Sequence, residues 1–330
     1  MSGQYTGNTT AFIEAQQYSG FILENLHDGL MPGAFYRNVS DFPAGTTLNI
    51  KTIGSASIQE VSEDQPVTYS PIETGSVTLS ITDYVGDAWY ITDVLRQDGT
   101  QLEQLQAARA AEATRAIQEN FETRALSVLN AAQTGANPNL VNGFAHRRGA
   151  SGANGQVSEK DFIEMRLAFD KANAPVMGRV AIVDPIVAAT LNKLVLLTSG
   201  TNYNVSQHPV FQQLVEQGFD RDHQFVTMLH GWMIWTSNRL PRITSSESAL
   251  ATTYGDADAM GVGAIANIFM TIADDGVKPL MGAWRQMPSV EGERNKDRGR
   301  DEFVTRARWG LGVQREDTLG VVLCHPTATE

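Results

Sequence analysis

The pattern of apolar and polar positions divides the chain into one long helical stretch and a set of strands scattered far apart in sequence. Residues 100–133 (TQLEQLQAARAAEATRAIQENFETRALSVLNAAQ) contain neither Gly nor Pro. They are dense in Ala, Leu, Gln, Glu and Arg, the strong helix formers. Thr134-Gly135-Ala136-Asn137-Pro138 follows, with a Gly and then a Pro to stop the helix. At the usual rise such a helix is about 50 Å long. A compact chain of this size has a radius of gyration of only about 20 Å, so the helix is expected to cross the molecule. Phe121, Ala125, Val128, Leu129 and Ala132 form its main apolar stripe, and Leu102 and Leu105 start another. No a/d heptad is sustained, which favours a single spine over a coiled coil.

Strand patterns flank it. Residues 47–53 and 75–83 alternate with period two, Leu48 and Ile50 on one face of the first and Val77, Leu79 and Ile81 on one face of the second. Some twenty residues separate them, too many for a hairpin turn. That connection is acidic (Glu60, Glu63, Asp64) and carries Ile58, Val61, Val67, Tyr69 and Ile72. A long two-stranded projection is the economical reading. An isolated hairpin is marginal in water, so it is expected to lie away from its own core, apolar residues exposed, for another molecule to cover. Before it, residues 1–43 read as an arm, with a helical pattern over 11–30 broken at Gly20. After it, 85–97 reads as a short aromatic-rich helix (Trp89, Tyr90, Val94, Leu95).

Beyond the spine, 134–155 reads as a loop containing His146-Arg147-Arg148. Ser158 and Asp161 suggest a cap for a helix over 159–173. Residues 179–183 form a short apolar strand, and Asp184-Pro185 opens a helix to 195. A short helix over 209–217 follows. Strands at 224–229 and 232–236 join at His230-Gly231, and 241–260 reads as an exposed loop. Further strands are expected at 264–272, 280–287, 301–313 and 320–324, the last two separated by a turn at Arg315-Glu316-Asp317. Such distant strands must pair with one another, so two domains interleave in sequence. There is no internal repeat.

Composition narrows the function more than it specifies it. The 330 residues are 42% hydrophobic and 19% charged, with net charge −12. That balance argues against a freely diffusing nucleic-acid binder, though not against a protein that encloses nucleic acid. The single Cys324 excludes an intrachain disulfide framework. The start MSGQYTGNTT has no basic and apolar signal pattern, and no apolar run is long enough to span a membrane.

Catalytic and cofactor motifs are sparse. Residues 261–266 fit G-x-G-x-x-A, but they precede a strand pattern instead of opening a helix. Asp220, Asp222 and His223, near His230, suggest a metal site less well than a polar turn. Asp256 and Asp258 lack the continuation of a calcium loop. There is no G-x-S-x-G elbow. No cofactor is predicted. The basic concentrations, Arg147-Arg148 and the run 294–308, lack the interleaved aromatics of a stacking platform.

Two stretches, RVAIVDPIVAATLNKL (179–194) and RARWGLGVQREDTLGVVL (306–323), carry a resemblance. With the arm, extended loop and spine they resemble the major capsid (coat) proteins of tailed double-stranded-DNA bacteriophages. The second stretch is similar to the family's closing strand pair. The resemblance implies an α+β fold with N-terminal arm (1–43), extended two-stranded loop (44–83), and peripheral and axial domains interleaved in sequence. The peripheral domain is then 84–156 with 261–313, and the axial domain 157–260 with 314–330. It further implies hexamers and pentamers in an icosahedral phage head enclosing DNA, located in the virion and assembled in the host cytoplasm. Scaffolding and portal proteins, and a decoration protein, are implied partners. The arm starting almost at Met1 points to a separate scaffolding protein or a mature form. Some members crosslink a loop Lys to a neighbour's Asn; Lys51 lies at the loop's base, so that crosslink is not expected here. Two alternatives stay open: an encapsulin-like nanocompartment shell, and a metal-dependent enzyme on Asp220, Asp222 and His223. In the shell reading the acidic loop (Glu60, Glu63, Asp64) is expected to dock on a neighbour's Arg294, Lys296, Arg298 and Arg300.

Overall fold

The computed structural model describes residues 30–40, 45–54, 58–61, 63, 66, 68–69, 71–99, 102–197, 225–247, 250 and 256–327. The helical patterns at 11–29 and 209–217, Asp64, and the Asp220, Asp222 and His223 trio lie outside them. In chain order the first elements are β1 (Arg37–Asn38), β2 (Thr47–Ile53), β3 (Thr74–Ser80), β4 (Asp83–Thr92), α1 (Asp93–Asp98) and the 30-residue α2 (Leu102–Ala131). Then come β5 (Leu140–Val141), β6 (Phe144–Ala145), β7 (Arg147–Gly149), α3 (Glu159–Lys171), β8 (Arg179–Val183) and α4 (Pro185–Leu197). The chain closes with β9 (Phe225–Leu229), β10 (Trp232–Thr236), β11 (Ile265–Thr271), β12 (Leu280–Asn295), β13 (Arg300–Val313) and β14 (Leu319–Cys324).

Two larger sheets organise these pieces. One has the order β1-β12-β13-β4, the other β7-β14-β11-β8-β10-β9. The second sheet is fed from five separated stretches, which is the interleaving the strand spacing required. Its inner strands read as continuous apolar runs, every residue of β8, β11 and β14 being buried, as expected where both faces are covered. Helix α2 serves both sheets. Ile117 and Phe121 pack on Ala307 and Trp309 of the first, while Ala125, Leu126 and Leu129 join the core of the second. Its last turn meets the stop signal at 134–138.

Several local signals act as expected. Asp161 accepts the Ser158 N–H at 2.8 Å and closes the start of α3. The Asp184 carboxylate accepts the Ile186 N–H at 2.9 Å ahead of α4. His230 and Gly231 both take positive φ (49° and 86°) between β9 and β10, the conformation of a two-residue hairpin turn. The Asp256 side chain accepts the Asp258 N–H at 3.0 Å, which is turn chemistry. Residues 261–263 form a turn ahead of β11, with no helix for a phosphate.

Four expectations are corrected. The aromatic stretch 85–97 is not one helix: residues up to Thr92 belong to β4, and only Asp93–Asp98 is helical. Val85, Asp87, Trp89 and Ile91 turn inward while Tyr84, Gly86, Ala88 and Tyr90 turn outward, so period two and the aromatic preference for strands prevail. The loop 134–155 is structured, because His146, Arg147 and Arg148 are buried where β7 adds in parallel to β14. The stretch 241–260 is not simply exposed, since Ile243, Leu250 and Met260 form a small core with Val321 and Leu323. The last two strands are separated by the expected turn at 314–318 but do not pair; β13 and β14 lie in different sheets.

Candidate assembly surface

The extended loop is a two-stranded sheet of its own. β2 and β3 pair antiparallel from Thr47↔Ser80 to Ile53↔Thr74. Its root is attached, while the described residues farther out are exposed. At the root, Leu79 is fully buried with Met281 and Ala283, and Leu48, Ile50 and Val77 pack around them. The Ile81 N–H donates to Thr46 O at 2.8 Å. The expectation that the whole loop leaves the core therefore fails at its base. Further out, Ile53, Ile58, Val61, Tyr69 and Ile72 are exposed, Ile58 at 99%. Glu60 and Glu63 are exposed beside them. An open groove of about 770 Å³ separates Lys51–Ile53 from the turn at Gln314–Asp317, so the outer part of the loop stands off the body.

The attachment depends on small residues in β13. A side chain at Gly310 would meet the Ser80 backbone and Ile81 Cα, 2.8 Å away. The sequence Trp309-Gly310-Leu311-Gly312 thus makes a notch in which the end of β3 rests. Nothing in the alternation of 301–313 announces that role.

The basic segment 294–300 forms the far end of the β12–β13 hairpin. Its cations are not equivalent. Arg294 grips Asp93 through two hydrogen bonds (2.9 and 3.0 Å) and reaches Asp301 at 3.0 Å. The Arg294 hydrogen bond is the main reason the Asp93 carboxyl sits below its ordinary range, and the Arg294 guanidinium is correspondingly raised. Arg300 donates to Glu302 at 2.7 Å and lies 4.3 Å from the Tyr90 ring centroid. That bond, with one from Asn295, lowers the Glu302 carboxyl. Lys296 and Arg298 are exposed and have no ion pair among the described residues. Exposed Val94 and Leu95 lie on α1, the helix to which Arg294 is tied.

Of the sequence-predicted interface residues, the structure keeps Glu60 and Glu63 together on the loop and Lys296 and Arg298 on the hairpin tip. It assigns Arg294 and Arg300 to intrachain bonds. The other basic pair, Arg147 and Arg148, is internal. Arg147 makes a two-pronged bond to Glu247 (2.6 Å for each) and a third to Asn130 at 2.9 Å, and Arg148 meets Glu164. Among the described residues no group of His, Cys, Asp and Glu could hold a metal ion. The thiol of Cys324 is buried and pushed up to about 12, chiefly by burial, which makes it a poor nucleophile.

Comparison with known proteins bears on this arrangement directly. A family model described as phage capsid protein matches residues 74–324. No curated protein matches the chain in sequence. Among solved structures, the fold is similar to the capsid of Cyanophage P-SCSP1u, with TM-score 0.68 and 15% identity over 99% of this chain and 96% of that one. The mature capsid of bacteriophage PhiM1 gives TM-score 0.67 and 14% identity over 96% and 93%. A structure from Mycobacterium phage Che8 gives 0.63 and 15% over 94% and 97%.

Proposed function

The chain belongs to the phage capsid protein family and is a structural capsid protein; from that premise we propose that it builds an icosahedral head of hexamers and pentamers that encloses double-stranded DNA. The observation that carries this reading is the extended loop. Its outer half exposes Ile53, Ile58, Val61, Tyr69 and Ile72, a surface that makes sense for a chain whose neighbours cover it. In this reading the protein acts by binding copies of itself. A scaffolding protein guides assembly in the host cytoplasm, a portal supplies the vertex for DNA entry, and a decoration protein binds the finished virion. We assign 84–156 with 261–313 to the peripheral domain and 157–260 with 314–330 to the axial one; this division does not coincide with the sheets, because β7 and β11 of the first set pair in the six-stranded sheet with strands of the second.

The loop tip docks near the neighbour's 294–300 segment, with Glu60, Glu63 and Asp64 facing the cations there. Lys296 and Arg298 are the principal contacts, since Arg294 and Arg300 are engaged within their own chain. Each exposed ion pair contributes at most about 1 kcal/mol, so the apolar loop residues supply most of the adhesion and the charges set the register.

Electron microscopy of the purified chain, with and without its scaffold, tests the shell. Closed icosahedral particles are expected, and a monomer under every condition would overturn the reading. Particles that load a peptide-tagged cargo instead of DNA would favour a nanocompartment. For the interface, reversing Glu60 and Glu63 to Lys should impair assembly, and adding Lys296→Glu and Arg298→Glu should partly restore it. Absence of any rescue would refute the docking site.

A further inference from the structure

β4 is the outer strand of its sheet, and among the described residues no backbone hydrogen bond reaches its free edge. Which groups face outward follows from the register. The Asp93 N–H donates to Gly299 O at 2.9 Å, one step beyond the Thr92↔Arg300 pair. Hydrogen-bonded and non-hydrogen-bonded pairs alternate along an antiparallel ladder. The odd-numbered residues of β4 therefore address β13, and the even-numbered ones, Tyr84 to Thr92, direct their N–H and C=O groups outward.

Proteins usually blunt such an edge with brevity, Pro, Lys or a bulge. β4 has ten residues with no Pro and no Lys, and it pairs with β13 in unbroken register. Its two charges turn to the helix side, where Arg124 holds Asp83 at 2.9 Å and Arg109 holds Asp87 at 2.6 Å. The other long hairpin edge, β12, is covered near its start by β1 and the two residues after it, through bonds from Val39 N–H to Gly282 O and from Trp284 N–H to Ser40 Oγ.

The sequence of this edge also has a symmetry. Around Asp87, Tyr84-Val85-Gly86 is mirrored by Ala88-Trp89-Tyr90: aromatic with aromatic, apolar with apolar, small with small. A segment such as 84–90 that reads alike in both directions is suited to pair antiparallel with its own copy, because a two-fold contact places each residue opposite its mirror position. We propose that β4 of one subunit pairs antiparallel with β4 of a second copy, about a two-fold axis at Asp87, joining their four-stranded sheets into one.

In this register Tyr84 faces Tyr90 of the partner subunit, and Gly86 faces Ala88 of the partner subunit. All four positions are even-numbered, so the outward backbone groups meet in hydrogen-bonded pairs. Asp87 meets its own copy with each carboxylate already held by its own Arg109 at 2.6 Å. Tyr84 and Tyr90 are 60% and 57% exposed in the single chain and form two cross-strand aromatic pairs in the dimer. The small residues between them let the rings lie across the strands.

Single cysteines read the register. Asp87→Cys meets its own copy in a non-hydrogen-bonded pair at a Cα separation of about 4.5 Å, within disulfide reach. Ala88→Cys lies diagonally from its copy at about 7–8 Å, beyond that reach. The native Cys324 is buried and does not compete. Mild oxidation of full-length chain should give a disulfide-linked dimer from Asp87→Cys and little from Ala88→Cys. No dimer from Asp87→Cys, or equal dimer from both, overturns the proposal.

A second variant covers a misfolded cysteine mutant. Tyr84→Ala removes both cross-strand aromatic pairs and leaves the Arg300–Tyr90 contact in place, so self-association should weaken about tenfold. Unchanged association also overturns the proposal. The inference rests on the shell reading only in needing self-association. Closed particles without the Asp87→Cys crosslink would refute strand pairing alone, and crosslinked dimers that never close would refute the shell alone.

Discussion

Replacing Gly310 by Ala isolates what holds the extended loop to the body. A Cβ at Gly310 would lie 2.8 Å from Ile81 Cα and 2.9 Å from the Ser80 carbonyl carbon. Both obstacles are backbone, so no side-chain rotation relieves the contact. Overpacking of this kind costs about 1–3 kcal/mol, and rigid obstacles place it at the upper end. The alternative is for the end of β3 to lift away, which exposes Leu79 and Ile81 at about 1.5–3 kcal/mol each. Strain is therefore the cheaper course, and the root is weakened by about 3 kcal/mol. The amide of Ile81, bonded to Thr46 O, reports it by hydrogen exchange. A change of that size accelerates its local opening about a hundredfold, at about 1.4 kcal/mol per factor of ten. Gly312→Ala is the control. Its Cβ would meet only Leu79 Cδ1 and Met281 Cε, each at 3.1 Å, flexible ends that move at little cost. The reasoning is refuted if Ile81 exchanges at the same rate in both variants, or if Gly310→Ala leaves it at the native rate.

Two further perturbations test the interior. Glu247→Ala should destabilise the chain by about 3–5 kcal/mol in denaturant unfolding, because Arg147 is 1% exposed and would be left as an uncompensated buried charge; Arg147→Met with Glu247→Leu should recover much of the loss. His146 is fully buried, and burial holds its imidazole below its ordinary value. Above about pH 6.5 it is neutral folded or unfolded. Below that pH the unfolded chain binds a proton that the folded chain resists, so stability falls as pH drops from about 6.5 towards the lowered folded value. The melting temperature of His146→Gln should accordingly fall less between pH 7 and pH 5 than that of the native chain, and parallel curves would refute the assignment.

The elements legible in the sequence are those fixed by near neighbours. The unbroken run of α2, the Ser158–Asp161 cap, Asp184-Pro185 before α4 and the His230-Gly231 turn need only a few adjacent residues. The misread elements depend on distant partners. Residues 83–92 carry enough aromatic and apolar side chains for either a helix or a strand. β13, more than two hundred positions later, decides the matter by pairing with every one of them. Arg147 looks like a loop cation until Glu247, a hundred positions away, neutralises it. β12 runs through the charged stretch 289–295 by pairing with β13, where Arg294 faces Asp301 in an ion pair although Glu293 faces Glu302. Period two is hidden there, since neither face has a core to bury.

The same logic governs the assembly surface. In sequence, 294–300 is one basic cluster, and all its members are equal candidates for a neighbour's acids. Folding divides them. Asp93 and Asp301 take Arg294, while Glu302 and Tyr90 take Arg300. A cation already holding a carboxylate must give up that bond to make another, so its net contribution to an interface is small. Lys296 and Arg298 hold no carboxylate among the described residues, so in the proposed docking they are the cations left for the acidic loop. Composition marks the candidate segment, and subtraction of the intrachain pairs narrows the proposed contact within it. The apolar loop residues obey the same subtraction. Leu79 is taken by the chain's own Met281 and Ala283, and Ile58 and Val61 are left over. What a subunit can offer its neighbours is the remainder after its own fold has been satisfied, and on the loop that remainder is Ile58 and Val61, not Leu79.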